Sequence, residues 1–101
     1  QPHRYTRTKL LVKEYSVCFQ GLDELILTDV YSAGEAAIEG VSGENIYKAV
    51  TETGQERVVY IEDKANIIPY LLKITCSGDR ILMMGAGDIT KIADELAEQL
   101  S

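Results

Sequence analysis

Four segments with the apolar spacing of a helix face alternate with three short apolar runs along this chain, and that alternation admits few folds. Leu11, Tyr15, Cys18 and Phe19 recur at helical intervals, and Gly21 is placed to end the helix. Residues 24–29 contain Leu25-Ile26-Leu27, a run of the length and character of a buried strand. A twelve-residue loop, 30–41, leads to a helix capped by Ser42, with Ile46, Ala49 and Val50 inside and Gly54 at its end. Residues 57–61, β-branched and aromatic, read as the second strand. Asn66 is placed to cap the third helix, which sets Pro69 in the first turn and turns Leu71, Leu72 and Ile74 inward. Ser77-Gly78-Asp79 turns into a third strand at 80–84. Gly85-Ala86-Gly87-Asp88 then opens a last helix with Ile89, Ile92, Ala93, Leu96 and Leu100 on one stripe.

Strands alternating with helices predict an α/β domain with parallel strands and helices on both faces. A chain of 101 residues has room for one such domain, so residues 1–101 are read as a single unit. Three strands are few for four helices, and no strand leads into the first helix. A strand ending at Gln1-Pro2-His3 would complete a four-strand unit. In the usual winding, order 3-2-1-4, it lies in the middle, between 24–29 and 80–84. The chain opens without a methionine, and we expect it to belong to something longer.

Charge is unevenly spread. The net charge is −6, yet the first 20 residues hold Arg4, Arg7, Lys9 and Lys13 against Glu14 alone, leaving six basic and fifteen acidic groups for the rest. A basic edge on an acidic body suits a small anion; a nucleic-acid surface needs a basic face over the whole domain. No apolar run approaches the roughly 18–20 residues of a membrane span, and no signal peptide is visible. Neither nucleic acid nor membrane is expected as a partner. Cys18 and Cys76 match no metal spacing and no redox pair; their apolar neighbours lead us to expect reduced core thiols in a cytoplasmic protein.

In open parallel sheets, ligands bind beyond the carboxyl ends of the strands, where the winding reverses. Those ends deliver His3 and Arg4, then Asp29 and Tyr31, then Glu62 and Asp63, and lastly Gly85, Gly87 and Asp88. The basic segment and the glycine turn are expected to face each other across one crevice. Arg4 and Arg7, three apart on a first helical turn, fit an anion clamp in which each guanidinium offers two parallel hydrogen bonds to a carboxylate or phosphate. His3, at the strand–helix junction, adds a possible third donor. The plainer reading pairs both arginines with the acidic body. The glycine turn has two readings as well: close backbone approach to a ligand, or a tight turn with Asp88 as N-cap. No phosphate loop of the GxxxxGK[ST] type is present, and one histidine supports no nucleophilic triad. The loop acids Asp29, Glu35 and Glu39 are too widely spaced for a metal site and read as surface carboxylates, with Asp29 at a strand end the one to test.

Gln1-Pro2-His3-Arg4-Tyr5-Thr6-Arg7-Thr8 resembles a segment of the Mur ligases, the amino-acid-adding ligases of peptidoglycan synthesis, in their L-alanine-adding branch. The similarity continues through Asp23-Glu24-Leu25-Ile26-Leu27-Thr28-Asp29-Val30-Tyr31-Ser32-Ala33-Gly34-Glu35, Gly40-Val41-Ser42-Gly43-Glu44 and Met84-Gly85-Ala86-Gly87-Asp88-Ile89. The resemblance implies a Rossmann-like three-layer α/β/α domain with a mainly parallel sheet, most of the C-terminal domain of a three-domain bacterial enzyme. It implies that this domain closes over the active site, while the central domain holds ATP and Mg2+ and the N-terminal domain the UDP-sugar. The reaction it implies joins L-alanine to UDP-N-acetylmuramate: ATP activates the muramate carboxyl as an acyl phosphate, and the alanine amine attacks it to give an amide, ADP and phosphate. His3, Arg4 and Arg7 are then expected to hold the alanine carboxylate. No catalytic residue, metal ligand or cofactor is expected within the chain itself. A free-standing α/β module for a small anionic ligand is the alternative.

Overall fold

Alternation along a single three-residue strand sets up two cores. The computed structural model describes residues 1–101. Strand β1 (Leu25–Leu27) turns Leu25 and Leu27 to one face of the sheet and Ile26 to the other. Leu25 and Leu27 are buried with Ile46 and Val50 of helix α2 (Gly43–Glu52), and Tyr15 of helix α1 (Tyr5–Val17) closes that cluster with Phe19. Ile26 packs on the opposite face against Ile67, Ile68 and Leu71 of helix α3 (Ile67–Ile74) and Ile89 and Leu96 of helix α4 (Ile89–Leu100). Helices therefore cover both faces of the sheet, in three layers. Ile46 and Val50 are 1% and 0% exposed, and each side chain buried so fully contributes about 1.5–3 kcal/mol.

β1 pairs in parallel with β2 (Val58–Tyr60), with Leu25 opposite Val58 and Leu27 opposite Tyr60. The chain start lies on the other side of β1's continuation. Tyr31 N–H donates to Pro2 O at 2.9 Å, Arg4 N–H donates to Tyr31 O at 2.8 Å, and His3 and Tyr31 form a parallel bridge. The Gln1 nitrogen donates to Met84 O at 2.9 Å. The sheet proper has two strands, β1 and β2, and the chain start touches both the continuation of β1 and Met84, the neighbours that the 3-2-1-4 winding gives it.

Residues 80–84 are not a strand, contrary to expectation. Ile81 and Met83 face the α3–α4 core, so the alternation is that of a strand, but the backbone meets only the Gln1 nitrogen, and a ladder needs a partner along its length. Leu82 and Met84, on the opposite face, are 76% and 65% exposed.

Asn45 Oδ1 accepts from Ser42 N–H at 2.6 Å and so holds the start of α2, an N-terminal device that contributes about 1 kcal/mol. A 3-10 turn, Lys64–Asn66, precedes α3; its own cap is Asp63, which accepts from Ala65 N–H at 2.9 Å. Asn66 occupies the N-cap position of α3 but its side chain caps nothing. Leu72 is exposed rather than buried, because Ile67, Ile68 and Leu71 form the inner face of so short a helix. Leu100, at the frayed end of the α4 stripe, is exposed too. Cys18 and Cys76 are also exposed: both lie just past helix ends, where the chain has left the core, and neither is a core thiol. No helix is long and apolar enough to cross a membrane.

Candidate functional site at the strand–helix junction

The carboxyl ends bring His3, Tyr31, Gly85, Gly87 and Asp88 together. The Tyr31 ring stacks on the His3 ring with centroids 5.8 Å apart and planes 12° apart. The ring also lies close over Gly87: a methyl group there would sit 2.5 Å from Cδ1 and 2.8 Å from Cδ2 of the ring. At Gly85 an added methyl would sit 2.6 Å from Ile89 Cγ2 and 3.2 Å from Gln1 Cβ. Both glycines thus make room for side chains of this chain, a third reading beside ligand approach and a simple tight turn.

Asp88 sits in the N-cap position of α4 without capping it. Its carboxylate accepts instead from Gln1 Nε2 at 2.8 Å and pairs with Lys64. Lys64 Nζ also stands 5.9 Å from the Tyr31 ring centroid, on the face of the aromatic quadrupole. Neither Gln1 nor Lys64 had a signal in the sequence as a contributor here; a lysine 24 residues before an N-cap aspartate announces nothing until the fold is closed.

The Gln1 amide, and then Lys64, hold the Asp88 carboxyl below its ordinary value. A carboxylate whose pKa is lower folded than unfolded contributes stability above its unfolded pKa and loses it as pH falls through the folded one. Stability is therefore expected to drop as pH falls below about 4. In Asp88→Asn that acid limb should be shallower, read as thermal midpoint against pH; parallel profiles for the two proteins would contradict the assignment.

Asp29 is engaged at the start of α2. Its Oδ1 accepts from Gly43 N–H at 2.9 Å and from Val30 N–H at 2.8 Å, so it serves the N-terminus of α2. Oδ1 thus has a structural role.

Arg4 departs from the expected helical geometry. It precedes α1 as its N-cap residue, with φ 68° and ψ 142°. An arginine in that region of positive φ carries strain of order 1–3 kcal/mol, kept only where its surroundings fix it. Here the Tyr31 backbone bonds hold one side, and Thr8 holds the other, its N–H and Oγ1 both donating to Arg4 O at 3.1 and 2.7 Å. Arg7 stands one turn further, in the first turn of α1. Both arginines are exposed. The three ion pairs of the molecule are Glu44–Lys48, Glu24–Arg57 and Asp88–Lys64, and none includes Arg4 or Arg7. The plainer reading, pairing with the acidic body, is not what the side chains do.

The loop acid Glu35, read as a surface carboxylate, is tethered. Oε1 accepts from Thr6 N–H at 3.2 Å and Oε2 from Thr6 Oγ1 at 2.7 Å. Those bonds, the hydroxyl one foremost, and the nearby Arg4 charge hold its carboxyl below the usual range.

Two clefts lie away from this junction. One of about 380 Å³ runs between α1 and α2, and one of about 570 Å³ between α3 and α4, with Lys64 and Asp88 on its rim. Neither is lined by His3, Arg4 or Arg7.

Fold and junction together define an α/β domain whose carboxyl-end face carries two unpaired guanidiniums at the start of its first helix. The chain belongs to the Mur ligase family: residues 2–87 match the family described as Mur ligase, glutamate ligase domain. Over 100 residues it is 44% identical to a UDP-N-acetylmuramate–L-alanine ligase of Geotalea daltonii, covering 99% of this chain and 22% of that protein. It is 48% identical to a protein of the same name from Syntrophomonas wolfei, covering 99% of this chain and 21% of the relative. A third, from Pelotomaculum thermopropionicum, is 43% identical over the same share of the chain. The chain spans about a fifth of the length of these curated relatives.

Proposed function

We propose that residues 1–101 are most of the C-terminal, amino-acid-binding domain of an ATP-dependent ligase that joins L-alanine to UDP-N-acetylmuramate in the bacterial cytoplasm. The observation that carries this reading is the pair of exposed guanidiniums, Arg4 and Arg7, left out of every ion pair at the start of α1. A guanidinium binds a carboxylate through two parallel charge-assisted bonds, and the helix N-terminus adds to the attraction. The relatives' names supply the amino acid. His3, beside Tyr31, is the third contact to the same carboxylate.

The work of these residues is binding and orientation. A fixed carboxylate leaves the amino group as the free end, aimed away from the domain toward an activated carboxyl held elsewhere in the protein. Holding the two reactants in place converts a bimolecular encounter into an intramolecular one. Tyr31, Gly85, Gly87 and Asp88 shape the wall beside the clamp.

In this reading ATP and Mg2+ are held mainly by the rest of the protein. No group of three His, Cys, Asp or Glu side chains converges, and the Asp88 carboxylate beside α4 is taken up by Gln1 and Lys64. The UDP-sugar contacts are likewise assigned to the parts of the protein beyond these residues. The free-standing module has no observation in its favour.

The test is a coupled ADP-release assay with ATP, Mg2+, UDP-N-acetylmuramate and L-alanine. The full-length protein is expected to turn over only when L-alanine is present, and the 101-residue chain alone to release nothing. Alanine-dependent ADP from the chain alone, or none from the full-length protein, sinks the reading.

A further inference from the structure

We infer that Glu35 is a positioning residue for the amino-acid clamp: by bonding both donors of Thr6 it locks the first turn of α1, and so sets where Arg4 and Arg7 stand. The inference rests on the proposed ligase reading and deepens its site.

The first turn of α1 has no capping help of its own. Arg4 makes no side-chain cap bond, and no acidic residue lies in that turn. Helix N-termini leave their first amide donors without intrahelical partners. Glu35 fills the deficit from 29 residues away, taking Thr6 N–H with one oxygen and Thr6 Oγ1 with the other. A carboxylate bound through both oxygens to one residue fixes direction as well as distance.

The two clamp arginines straddle that residue. Arg4 lies two positions before Thr6 and Arg7 one after it. Arg4 holds a strained backbone, and such a conformation persists only where neighbouring bonds over-determine it. The loop supplies those bonds at two points: Tyr31 grips the Arg4 and Pro2 backbone, and Glu35 grips Thr6. Between them Ala33 and Gly34 run at φ 52° and 87°, a reversal that lets one loop touch both places. With Glu35 gone, the Tyr31 and Thr8 bonds to Arg4 remain, but the turn between the two arginines loses its side-chain anchor at Thr6.

Loss of such a tether acts on ligand placement, so it should appear mainly in KM. In the full-length protein, Glu35→Ala is expected to raise the KM for L-alanine on the order of tenfold, leaving kcat and the KM for ATP within about twofold. Thr6→Val, which keeps the backbone N–H and removes the hydroxyl, should give part of the same rise. The double variant should be no worse than Glu35→Ala, since the two side chains act through one contact. Glu35→Gln, with one acceptor oxygen, should recover part of the loss.

If Glu35→Ala lowers the melting temperature but leaves the alanine KM unchanged, Glu35 is structural only and the inference falls. A lower alanine KM would mean that Glu35 competes with the ligand carboxylate, which also overturns it. Should Glu35→Ala fail to fold, Thr6→Val decides by the same KM. A wild-type protein without alanine-dependent turnover fails the ligase reading and takes this inference with it; an active wild type with an unaffected Glu35→Ala fails this inference alone.

Discussion

Arg7→Ala in the full-length protein is expected to lower kcat/KM for L-alanine by roughly 10–150-fold while the KM for ATP stays near its wild-type value. The range is that of one charge-assisted hydrogen bond, about 1.5–3 kcal/mol. Arg7 is exposed and belongs to no ion pair, so its removal leaves no buried partner unsatisfied and should cost the fold little. That separates binding from stability in a single variant. Arg7→Lys should recover only part of the loss, because an ammonium keeps the charge and lacks the planar fork. Unchanged alanine kinetics with a lowered melting temperature would remove Arg7 from the clamp.

Gly43→Ala should be among the most destabilising single substitutions in the domain. Gly43 begins α2 and is buried against backbone: an added methyl would lie 2.9 Å from both Asp29 Cα and Thr28 C, and closer still to Thr28 O. Backbone at the end of a buried strand has nowhere to move. The helix must back away, which also breaks the Gly43 N–H bond to Asp29 and loosens Ile46 and Val50, both buried against β1. Overpacking and a lost charged hydrogen bond together cost roughly 2–5 kcal/mol. At about 4–8 °C per kcal/mol for a domain of this size, a fall in the domain's thermal midpoint of about 10 °C or more is expected. A midpoint within about 2 °C of wild type would show that the turn between β1 and α2 is softer than its contacts imply.

What the sequence revealed, and what it did not, divides along a physical line. Period and punctuation reported the local elements: the stripe of α4, the cap at Ser42, and the apolar runs of β1 and β2. The winding rule then placed the chain start between β1 and residues 80–84, where the Pro2, Arg4 and Gln1 hydrogen bonds lie. Pattern reports what a segment is suited to, whereas a strand also needs a neighbour, and residues 80–84 have the first without the second. The start of α1 was misread because Arg4 looks like any first-turn residue; its positive φ follows from contacts with Tyr31 and Thr8. Asp29 was read by position at a strand end, yet its acceptor goes to Gly43, a pairing that exists only once the loop has returned. Glu35, Lys64 and Gln1 work through partners 24 to 87 residues distant, and no spacing rule sees across such gaps.

The stacking of His3, Tyr31 and Gly87 has a kinetic consequence. The two hydrophobic cores are built largely from neighbouring elements, α1 to β2 for one and α3 with α4 for the other. The crevice wall joins the two extremes of the chain through bonds such as Gln1 to Met84 and Gln1 to Asp88. Closing so long a loop carries an entropic cost before any contact rewards it. The wall is accordingly the last part to assemble during folding, and its opening is cheaper than unfolding either core. If the amino acid is held at this edge as proposed, its occupancy should slow the local opening of the junction far more than it raises the stability of the whole.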